Sequence, residues 1–275
     1  MSKCNYVGKR VVVSGCFSGM GEATARQLLE LGAEVHGIDY KDTALALTSF
    51  SKVDLRDPQA IDAAAEQLGR KCGKIDALFN CAGLPQTFPP VEVVKVNYLG
   101  ARRLTERLLP YMGRGAAIVC ISSTAGIGWS ERLPVLFELL GIDDFSAAVA
   151  WCEGHPDEVR EGYSFSKEAI ILWTMSFGAV LIKQGIRMNC TLPGPTQTPM
   201  MKEFEAATPS AIIEAAAQPI NRRSSAEEQA NVLVFLNSDA ASYINGIAMP
   251  VDGGFCGAVM TGQIDMKAVL AAATA

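Results

Sequence analysis

Short apolar, strand-like runs alternate with helical patterns along most of the 275 residues, and this alternation constrains the fold more than any other feature. Several runs are almost continuously apolar, as expected for strands of a parallel sheet that is covered on both faces. The predicted strands are residues 10–14, 34–39, 75–80, 116–122, 186–192 and 247–251, with a shorter one near 52–54. The predicted helices are residues 19–31, 58–68, 100–112, 164–183 and 226–236.

Alternation of this kind predicts an α/β protein with a Rossmann-like, doubly wound parallel sheet that carries helices on both faces. We find no linker, low-complexity segment or internal repeat, so residues 1–275 are predicted to form a single domain. A composition of 49 % hydrophobic and 19 % charged residues fits a sizeable buried core. The formal net charge of −5 argues against a nucleic-acid partner, which would require a basic stripe.

The apolar runs are too short to predict a membrane segment. The longest, 169–182, has 14 residues, whereas a transmembrane helix needs about 20. The first predicted strand begins near the N-terminus with no signal-peptide pattern before it, so we expect a cytoplasmic protein. The sequence has eight cysteines, none of them in a Cys-x-x-Cys pair, and only two histidines. It lacks the ligand spacing of a zinc site, so we expect reduced thiols and no metal.

A glycine-rich turn joins the first predicted strand to the first helix, in the order Ser14-Gly15-Cys16-Phe17-Ser18-Gly19-Met20-Gly21. Glycines in such a turn let the backbone approach a pyrophosphate, and the helix N-terminus supplies free N–H groups and the positive end of its dipole. Glycines also mark ordinary turns, but the first strand–helix junction is the context that a dinucleotide site requires. The residues predicted to contact a dinucleotide here are Gly15, Ser18, Gly19, Met20 and Gly21.

Asp39 ends the second predicted strand, 18 residues after Gly21. A carboxylate at this place accepts hydrogen bonds from the adenosine ribose hydroxyls and repels a 2′-phosphate. Neither Cys16 nor the residue before Asp39 is a cation that could bind such a phosphate, although Lys41 follows two residues later. The sequence therefore predicts NAD rather than NADP as the cofactor, against the alternative that Asp39 is a solvated strand end.

Tyr163 is the only tyrosine in the sequence with a lysine, Lys167, four residues later. On a helix, residues i and i+4 project from the same face, so this spacing places a phenol beside an ammonium group. A neighbouring positive charge favours the phenolate, and we expect Lys167 to lower the pKa of Tyr163 toward the working pH. Such a phenol can exchange a proton with a carbonyl oxygen. On its own, the pattern also fits a chance pair on the protein surface.

Taken in chain order, these features resemble the short-chain dehydrogenase/reductase family over nearly the whole sequence. The glycine turn is similar to the family's Thr-Gly-x-x-x-Gly-x-Gly, with Ser14 in the threonine place. Further segments match family motifs: Asp54-Leu55, Asn80-Cys81-Ala82-Gly83, Pro193-Gly194 with Thr196 and Thr198, and Asp252-Gly253-Gly254. The resemblance implies that the first of these caps the adenine, the second lines the cofactor cleft through Asn80, Ala82 and Gly83, and the third holds the nicotinamide carboxamide.

The resemblance also implies a catalytic set that consists of Asn97, Ser123, Tyr163 and Lys167. Tyr163 would be the general acid in reduction and the general base in oxidation, and Lys167 would also hydrogen-bond the nicotinamide ribose. Ser123, chosen over Ser122 as the second serine of a strand-end motif, would donate to the substrate oxygen. Asn97 would hold a water that links Lys167 to solvent. From the residues alone, Ser123 also fits a turn, and Asn97 a helix cap or kink.

Ser123 and Tyr163 are 40 residues apart, a wider gap than most members of the family have. Residues 127–161 form the extra segment, in which Pro134 suits a helix start and Gly141 a helix end. A second helix, capped by Asp143 or Asp144, would complete a helical hairpin. Because the ends of this hairpin flank the predicted catalytic residues, it is either a mobile lid over a bulky apolar substrate or an oligomer interface, or both.

The enlarged segment, together with residues 80–87 and Asp252-Gly253-Gly254, resembles the 3α-hydroxysteroid dehydrogenase/carbonyl reductase branch of the family. This implies an NAD-dependent alcohol dehydrogenase or ketone reductase that interconverts a bulky hydrophobic secondary alcohol and its ketone, of hydroxysteroid-like, terpenoid or aryl type. One alternative is an isomerase or dehydratase that recycles bound NAD, although the tail 255–275 is short for such enzymes. Another is a non-catalytic NAD-binding redox sensor. The expected partners are a hydrophobic small molecule and further copies of the chain, as a dimer or tetramer, with no membrane contact.

Overall fold

A sheet of seven parallel strands lies at the centre of the protein in the computed structural model, which describes residues 4–274. Residues 1–3 and 275 of the predicted domain lie outside that part. The strands are β1 (Arg10–Ser14), β2 (Glu34–Asp39), β3 (Ser49–Lys52), β4 (Ile75–Asn80), β5 (Met112–Ile121), β6 (Arg187–Pro193) and β9 (Ala248–Val251), while β7 (Thr196–Gln197) and β8 (Ser224–Ser225) pair with each other. The order β3-β2-β1-β4-β5-β6-β9 makes the sheet Rossmann-like and doubly wound, as predicted.

Helices cover both faces of this sheet, so its strands are apolar on both sides. Val12 packs in the core on one face, which is formed with α2, α4 and α8, while Val11 and Val13 pack on the other face with α1 and α11. The helices are α1 (Gly19–Glu30), α2 (Pro58–Cys72), α3 (Pro90–Val94), α4 (Ala101–Leu108), α5 (Leu133–Leu140), α6 (Phe145–Gly154), α7 (Pro156–Val159), α8 (Tyr163–Leu181), α9 (Met201–Ala207), α10 (Ser210–Ala216), α11 (Ala226–Asn237), α12 (Phe255–Met260) and α13 (Met266–Thr274).

The direction of winding reverses at β1, which lies between β2 and β4. The carboxyl ends of β1 and β4 therefore meet. Ser14 Oγ accepts hydrogen bonds from the backbone nitrogens of Cys81 (3.2 Å) and Ala82 (3.4 Å), and thus joins the two strand ends. In open α/β sheets, a crevice outside the carboxyl ends at such a reversal is the usual place for a ligand.

The third strand lies at residues 49–52 rather than near 52–54. It is a polar edge strand, Ser-Phe-Ser-Lys, so an apolar pattern does not reveal it. Its pairing with β2 is supported by a side-chain hydrogen bond between His36 Nδ1 and Ser49 Oγ (2.7 Å).

The helix predicted over 100–112 is interrupted in the structure. Helical turns begin earlier, at Pro90, and a π-helix over Lys95–Gly100 precedes α4. Gly100 lies so close to the backbone of Leu55 that a Cβ atom would collide with its carbonyl oxygen. Pro110, which has no N–H to donate, lies in a single 3-10 turn that follows α4, and β5 then begins at Met112.

The inserted segment 127–161 is helical and packs against the body of the protein. It enters through 3-10 turns over Thr124–Arg132 and continues as α5, α6 and α7. Asp144 rather than Asp143 caps α6, because its side chain accepts a hydrogen bond from the Ala147 nitrogen (2.8 Å). The buried side chains of Leu136, Leu139 and Cys152 join the core on the α4 and α8 face. The tail forms α12 and α13.

Among the described residues, one helical stretch, Tyr163–Gln184, is long and apolar enough to cross a membrane by length and composition alone. However, 67 % of its most apolar window is buried inside the fold. The central helix of an α/β protein has the same composition, so the stretch carries little evidence for a membrane segment.

Candidate active site

A cavity of about 320 Å³ opens at the carboxyl ends of β1, β2 and β4. It lies at the reversal of the sheet, where the fold predicts a ligand. The lining includes these residues predicted for cofactor binding: Gly15, Ser18, Asp39, Asp54, Leu55, Ala82 and Gly83. The structure thus brings together motifs that are well separated in the sequence, and we call this cavity the cleft.

The glycine turn forms the floor of the cleft, and its packing requires glycine. Gly15 has a φ of 74°, and a Cβ atom there would lie 2.5 Å from the Ala82 nitrogen. A Cβ atom on Gly21 would collide with the carbonyl oxygen of Gly15. Met20, in the first turn of α1, is partly buried against the core, and neither Met20 nor Gly19 or Gly21 lines the cleft. A turn without side chains at its glycine positions exposes its backbone to the cleft, as a pyrophosphate site requires.

Asp39 lies in the wall of the cleft with only 8 % of its surface exposed. Its Oδ2 accepts a hydrogen bond from the Phe17 nitrogen (3.0 Å), and its Oδ1 accepts one from the Lys41 nitrogen (3.0 Å). The Lys41 ammonium lies over the rings of Phe17 and Tyr40, 5.3 and 5.1 Å from their centroids. Backbone donors therefore hold this carboxylate in place, and each oxygen keeps a lone pair for a ligand hydroxyl.

Asp54 and Leu55, expected at the adenine, lie in the cleft wall, whereas Asn80, expected to line the cleft, does not. Asp54 accepts hydrogen bonds from the guanidinium of Arg56 (2.9 and 3.0 Å to Nε), which hold the pKa of this carboxyl below its usual range. Leu55 is buried beside it. Asn80 does not line the cleft, because its buried amide donates to Thr105 Oγ1 (2.9 Å) and thereby ties β4 to α4.

The loop after β6 crosses toward the glycine turn. Thr196 Oγ1 donates to the Gly194 carbonyl oxygen (2.9 Å) and also lies 2.9 Å from Ser224 Oγ, so it holds the loop to β8. Thr198 reaches the turn itself, because a Cβ atom on Gly19 would lie 3.2 Å from Thr198 Cγ2. Pro193, the last residue of β6, is buried at the start of this loop.

The two serines at the end of β5 have different partners. Ser122 Oγ donates to the Lys167 carbonyl oxygen (2.7 Å) and is buried, so it fastens α8 to the sheet. Ser123, the serine chosen from the sequence, lies close enough to the Tyr163 side chain to favour its phenolate. The Lys167 ammonium donates to the carbonyl oxygen of Ile121 (2.9 Å), just before these serines.

Tyr163 is the first residue of α8, and its position depends on a tight turn. Gly162 precedes it with a φ of 79°, and a Cβ atom there would collide with the carbonyl oxygen of Pro90 at the start of α3. One helical turn later, Lys167 places its Nζ 5.4 Å from the centroid of the Tyr163 ring. The i and i+4 spacing therefore brings the two side chains together as predicted, and Lys167 is only 4 % exposed.

The expected lowering of the Tyr163 pKa is wrong for this arrangement. Burial raises the pKa of Tyr163, because it disfavours the phenolate, and the nearby Ser123 hydroxyl acts in the opposite direction. Burial also lowers the pKa of Lys167 to about 8, since the ammonium is desolvated. The protonated phenol is therefore the form that this pocket favours at neutral pH, which suits it as an acid toward a carbonyl oxygen.

Asn97 lies in the π-helix, and its side chain joins two parts of the site. Its Nδ2 donates to the Leu84 carbonyl oxygen (3.1 Å) and to Ser166 Oγ (3.1 Å), and its Oδ1 accepts from the Leu84 nitrogen (2.7 Å). A Cβ atom on Gly83 would lie 3.3 Å from this Oδ1 and 3.8 Å from Lys167 Nζ. The side chain thus connects the cleft wall to α8, while its role in holding a water stays a prediction.

Helix α9 covers Tyr163, a contact that the sequence analysis missed. The rings of Phe204 and Tyr163 meet edge to face, with centroids 4.9 Å apart. Met200 and Glu203 line the cleft beside them, and Gln86 Nε2 donates to Thr208 Oγ1 (2.8 Å) at the far end of α9. No residue of the inserted segment, all of which the structure describes, lines the cleft. An aromatic residue soon after Pro193-Gly194 is the only sequence signal for this cover.

The cleft fits a dinucleotide. Its glycine turn packs directly on the backbone at Ala82, which brings the turn to the carboxyl ends of β1 and β4, and a fixed carboxylate, Asp39, lies in the wall. Between residues 4 and 274, no group of three or more histidine, cysteine, aspartate or glutamate side chains could hold a metal ion. The sheet order and the cleft together define the class: a Rossmann-like α/β enzyme with serine, tyrosine and lysine side chains at the carboxyl edge of its sheet.

Two family models match the chain. The short chain dehydrogenase model matches residues 9–134, and the enoyl-(acyl carrier protein) reductase model matches residues 153–256. The stretch between the matches falls inside the inserted segment, which is where the sequence departs from the common family pattern.

Individual relatives agree with these matches. The chain is 40 % identical to coniferyl-alcohol dehydrogenase of Pseudomonas sp. strain HR199, over 90 % of this chain and 96 % of the relative. It is 33 % identical to 3-alpha-hydroxysteroid dehydrogenase/carbonyl reductase of Comamonas testosteroni, over 89 % and 95 %. The crystal structure of the 3-alpha-hydroxysteroid dehydrogenase from Pseudomonas sp. B-0831, complexed with NADH, superposes with a TM-score of 0.78 at 28 % identity, over 94 % and 100 %.

The chain therefore belongs to the short-chain dehydrogenase/reductase family, as its motifs indicated. It is an oxidoreductase that acts on an alcohol and uses a nicotinamide cofactor.

Proposed function

We propose that this protein is an NAD-dependent dehydrogenase that interconverts a bulky hydrophobic alcohol and its carbonyl compound. The observation that carries the proposal is the convergence of Ser123, Tyr163 and Lys167 beside a cleft whose wall holds the fixed carboxylate of Asp39. The first three are the groups needed to handle a proton at a carbonyl oxygen, and the carboxylate is the group needed to choose NAD.

In this proposal the nicotinamide, when bound, supplies the hydride chemistry. Tyr163 donates its phenolic proton to the carbonyl oxygen in reduction and accepts the alcohol proton in oxidation. Ser123, which lies beside Tyr163, donates to the same substrate oxygen and stabilises the negative charge that develops there. Lys167 in its charged form stabilises the phenolate, and Asn97 holds α8 and the cleft wall in register through Ser166 and Leu84.

Asp39 supports the choice of NAD over NADP, and its replacement provides a test. We expect Asp39→Ala to lower kcat/KM for NAD by about 10- to 100-fold, because a hydrogen bond to a charged group contributes about 1.5–3 kcal/mol. We also expect kcat/KM for NADP to rise, because the repulsion of a 2′-phosphate disappears. Steady-state kinetics with both cofactors measure this.

Asp39→Asn is the matched control, because it keeps the shape of the side chain and one acceptor for the backbone donors of Phe17 and Lys41. It should fall between wild type and Asp39→Ala in its preference for NAD. A wild-type enzyme that already works faster with NADPH would refute the proposed role of Asp39.

The substrate class is proposed from the cover over Tyr163 and from the relatives. An alcohol carbon bound at Tyr163 would lie under Phe204, so the adjoining part of the substrate meets an aromatic wall. The names of the relatives favour a hydroxysteroid or an aryl alcohol, within the hydroxysteroid-like, terpenoid or aryl secondary alcohols that we expect. Coniferyl alcohol extends this class to a primary alcohol on an aryl side chain.

A panel of alcohols tests the proposed substrate class. Purified protein should be assayed with NAD and hydroxysteroids, monoterpene alcohols, aryl secondary alcohols and aryl primary alcohols, with short aliphatic alcohols as the comparison. We expect the highest kcat/KM for a bulky ring-containing alcohol. Highest activity with short aliphatic alcohols, or no oxidation of any alcohol, would refute the proposal.

Phe204 should determine how well bulky alcohols bind. We expect Phe204→Ala to lower kcat/KM for the best ring-containing alcohol by about 10- to 100-fold, since burying a phenylalanine side chain contributes about 1.5–3 kcal/mol. Short alcohols should be much less affected. Phe17→Ala is the matched control, because Phe17 lines the same cleft at the Asp39 end and should alter KM for NAD instead. Equal losses for bulky and short alcohols in Phe204→Ala would contradict the role of Phe204.

The proposal also covers the cellular compartment, the oligomeric state and the partners of the enzyme. We propose a cytoplasmic homo-oligomer that meets its hydrophobic substrate without a membrane or nucleic-acid partner. The six buried cysteines support a reducing compartment, since thiols serve as small core residues there. Sedimentation equilibrium of the purified chain would distinguish a monomer, a dimer and a tetramer.

A further inference from the structure

The guanidinium of Arg132 lies at the junction of the inserted segment and helix α8. Its Nη1 donates to Glu168 Oε2 (2.7 Å), and its Nη2 donates to the carbonyl oxygen and Oε2 of Glu158 (2.6 and 2.8 Å). Its central carbon lies 5.1 Å from the centroid of the Phe165 ring. One side chain therefore binds groups that lie before and after Tyr163 in the chain.

This ion pair is buried, so it holds its partners in one arrangement. The side chains of Arg132 and Glu168 are only 10 % and 5 % exposed. Burial raises the pKa of Glu168, and the guanidinium opposes that rise. Separating Arg132 from Glu168 would leave a buried carboxylate without its partner, which is strongly unfavourable. The ion pair therefore holds the inserted segment against α8.

The backbone that leads from Ser123 to Arg132 lies directly on α8. A Cβ atom on Gly126 would lie 2.9 Å from the carbonyl carbon of Lys167 and 3.0 Å from the Glu168 nitrogen. At one end of this contact, Ser122 Oγ donates to the Lys167 carbonyl oxygen, and at the other end Arg132 binds Glu168. Any shift of α8 relative to this backbone would change the separation of the Ser123 and Tyr163 side chains.

We propose that Arg132 is a positioning residue for the reaction: through Glu168, Glu158 and Phe165 it holds the first turns of α8 against the segment that carries Ser123. In this proposal the inserted segment fixes the position of α8, the helix that carries Tyr163 and Lys167. This inference rests on the catalytic roles proposed for Ser123 and Tyr163. Catalytic groups must be held within about 0.5 Å of their working positions, so a small loss of alignment lowers the rate of the chemical step.

Arg132→Lys tests the inference, because lysine keeps the charge but cannot bind Glu168 and Glu158 with one planar group. We expect kcat for alcohol oxidation to fall by about 10- to 100-fold, as for other small misplacements of reacting groups. KM for NAD and for the alcohol should stay near the wild-type values. The isotope effect on kcat with a carbinol-deuterated alcohol should rise, because hydride transfer becomes slow relative to product release.

Arg102→Lys is the matched control. Arg102 has a side-chain exposure of 12 % and binds the same inserted segment from α4, where its Nη1 donates to the carbonyl oxygens of Leu140 and Ile142 and its Nη2 to Asp143. None of these bonds touches α8. We expect this variant to lower the thermal midpoint about as much as Arg132→Lys, but to leave kcat and the isotope effect unchanged.

An Arg132→Lys enzyme with the kcat and isotope effect of wild type would overturn the inference. An equal loss of kcat in Arg102→Lys would also overturn it, because general loosening of the segment would then be sufficient. If Arg132→Lys does not fold, the double variant Arg132→Gln/Glu168→Gln replaces it in the same comparison, because it removes both charges of the buried pair. A failure of the proposed function would be recognised separately, because Tyr163→Phe would then keep the turnover of wild type.

Discussion

Tyr163→Phe is expected to keep NAD binding and to lower kcat by about 10³-fold, within the range that general acid–base catalysis supplies. The substitution removes only the hydroxyl that exchanges a proton with the substrate oxygen. The ring remains, so its edge-to-face contact with Phe204 and its place beside Lys167 are preserved. Calorimetric titration with NAD and single-turnover kinetics in both reaction directions measure the two parts of this prediction.

Tyr111→Phe is the control for the loss of a phenolic hydroxyl elsewhere in the fold. Tyr111 lies against Gly69 of α2, away from the cleft, and its hydroxyl has no role in the proposed chemistry. This variant should match wild type in turnover. Unchanged turnover in Tyr163→Phe would remove the basis of the mechanism, and loss of NAD binding would show that the tyrosine acts on the cofactor rather than on the substrate oxygen.

Lys167→Met should abolish most of the activity and yet stabilise the protein at neutral pH. The pKa of Lys167 is lowered from 10.5 to about 8 by burial, which corresponds to about 3 kcal/mol that the charged form subtracts from native stability below pH 8. Methionine removes this charge, and the lost hydrogen bond to Ile121 offsets about 1 kcal/mol of the gain. The net expectation is about 2 kcal/mol of added stability, measured by urea unfolding.

The pH dependence of stability checks the same cause. In wild type, the native state releases the Lys167 proton near pH 8, whereas the unfolded chain keeps it to about pH 10. The unfolded state binds more protons in this window, so the contribution of this lysine to stability rises with pH. Lys167→Met should lack that rise. A Lys167→Met protein that is less stable than wild type at pH 7, or that shows the same rise, would contradict the assignment.

Local chemistry explains which parts of the site could be predicted from the sequence. Backbone geometry at a strand end determines the roles of the glycine turn, of Asp39 and of Ser122 and Ser123. A short sequence motif is enough to predict that geometry. The spacing of Tyr163 and Lys167 on one helix face is likewise a local property. For the same reason, the order of strands and helices followed from apolar periodicity.

The parts that could not be predicted depend on distant groups. The pKa of Tyr163 is set by burial under the surrounding chain, which a spacing of four residues does not report. The cover by Phe204 comes from a helix 41 residues further along the chain. The pair of Arg132 with Glu168 likewise joins two elements that only the fold brings together. The third strand was predicted near residues 52–54 but lies at 49–52. At the edge of the sheet a strand can carry polar residues, so no apolar pattern marked its position.

The most direct test of the central claim is the amount of NADH formed per molecule of alcohol consumed, with the best alcohol of the panel and either NAD or NADP. The proposed function predicts one NADH and one carbonyl product for each alcohol, at a higher rate with NAD because of Asp39. Substrate conversion without net NADH would contradict it and point to an isomerase or dehydratase that recycles its cofactor. Cofactor binding without any conversion would point instead to a non-catalytic NAD-binding protein.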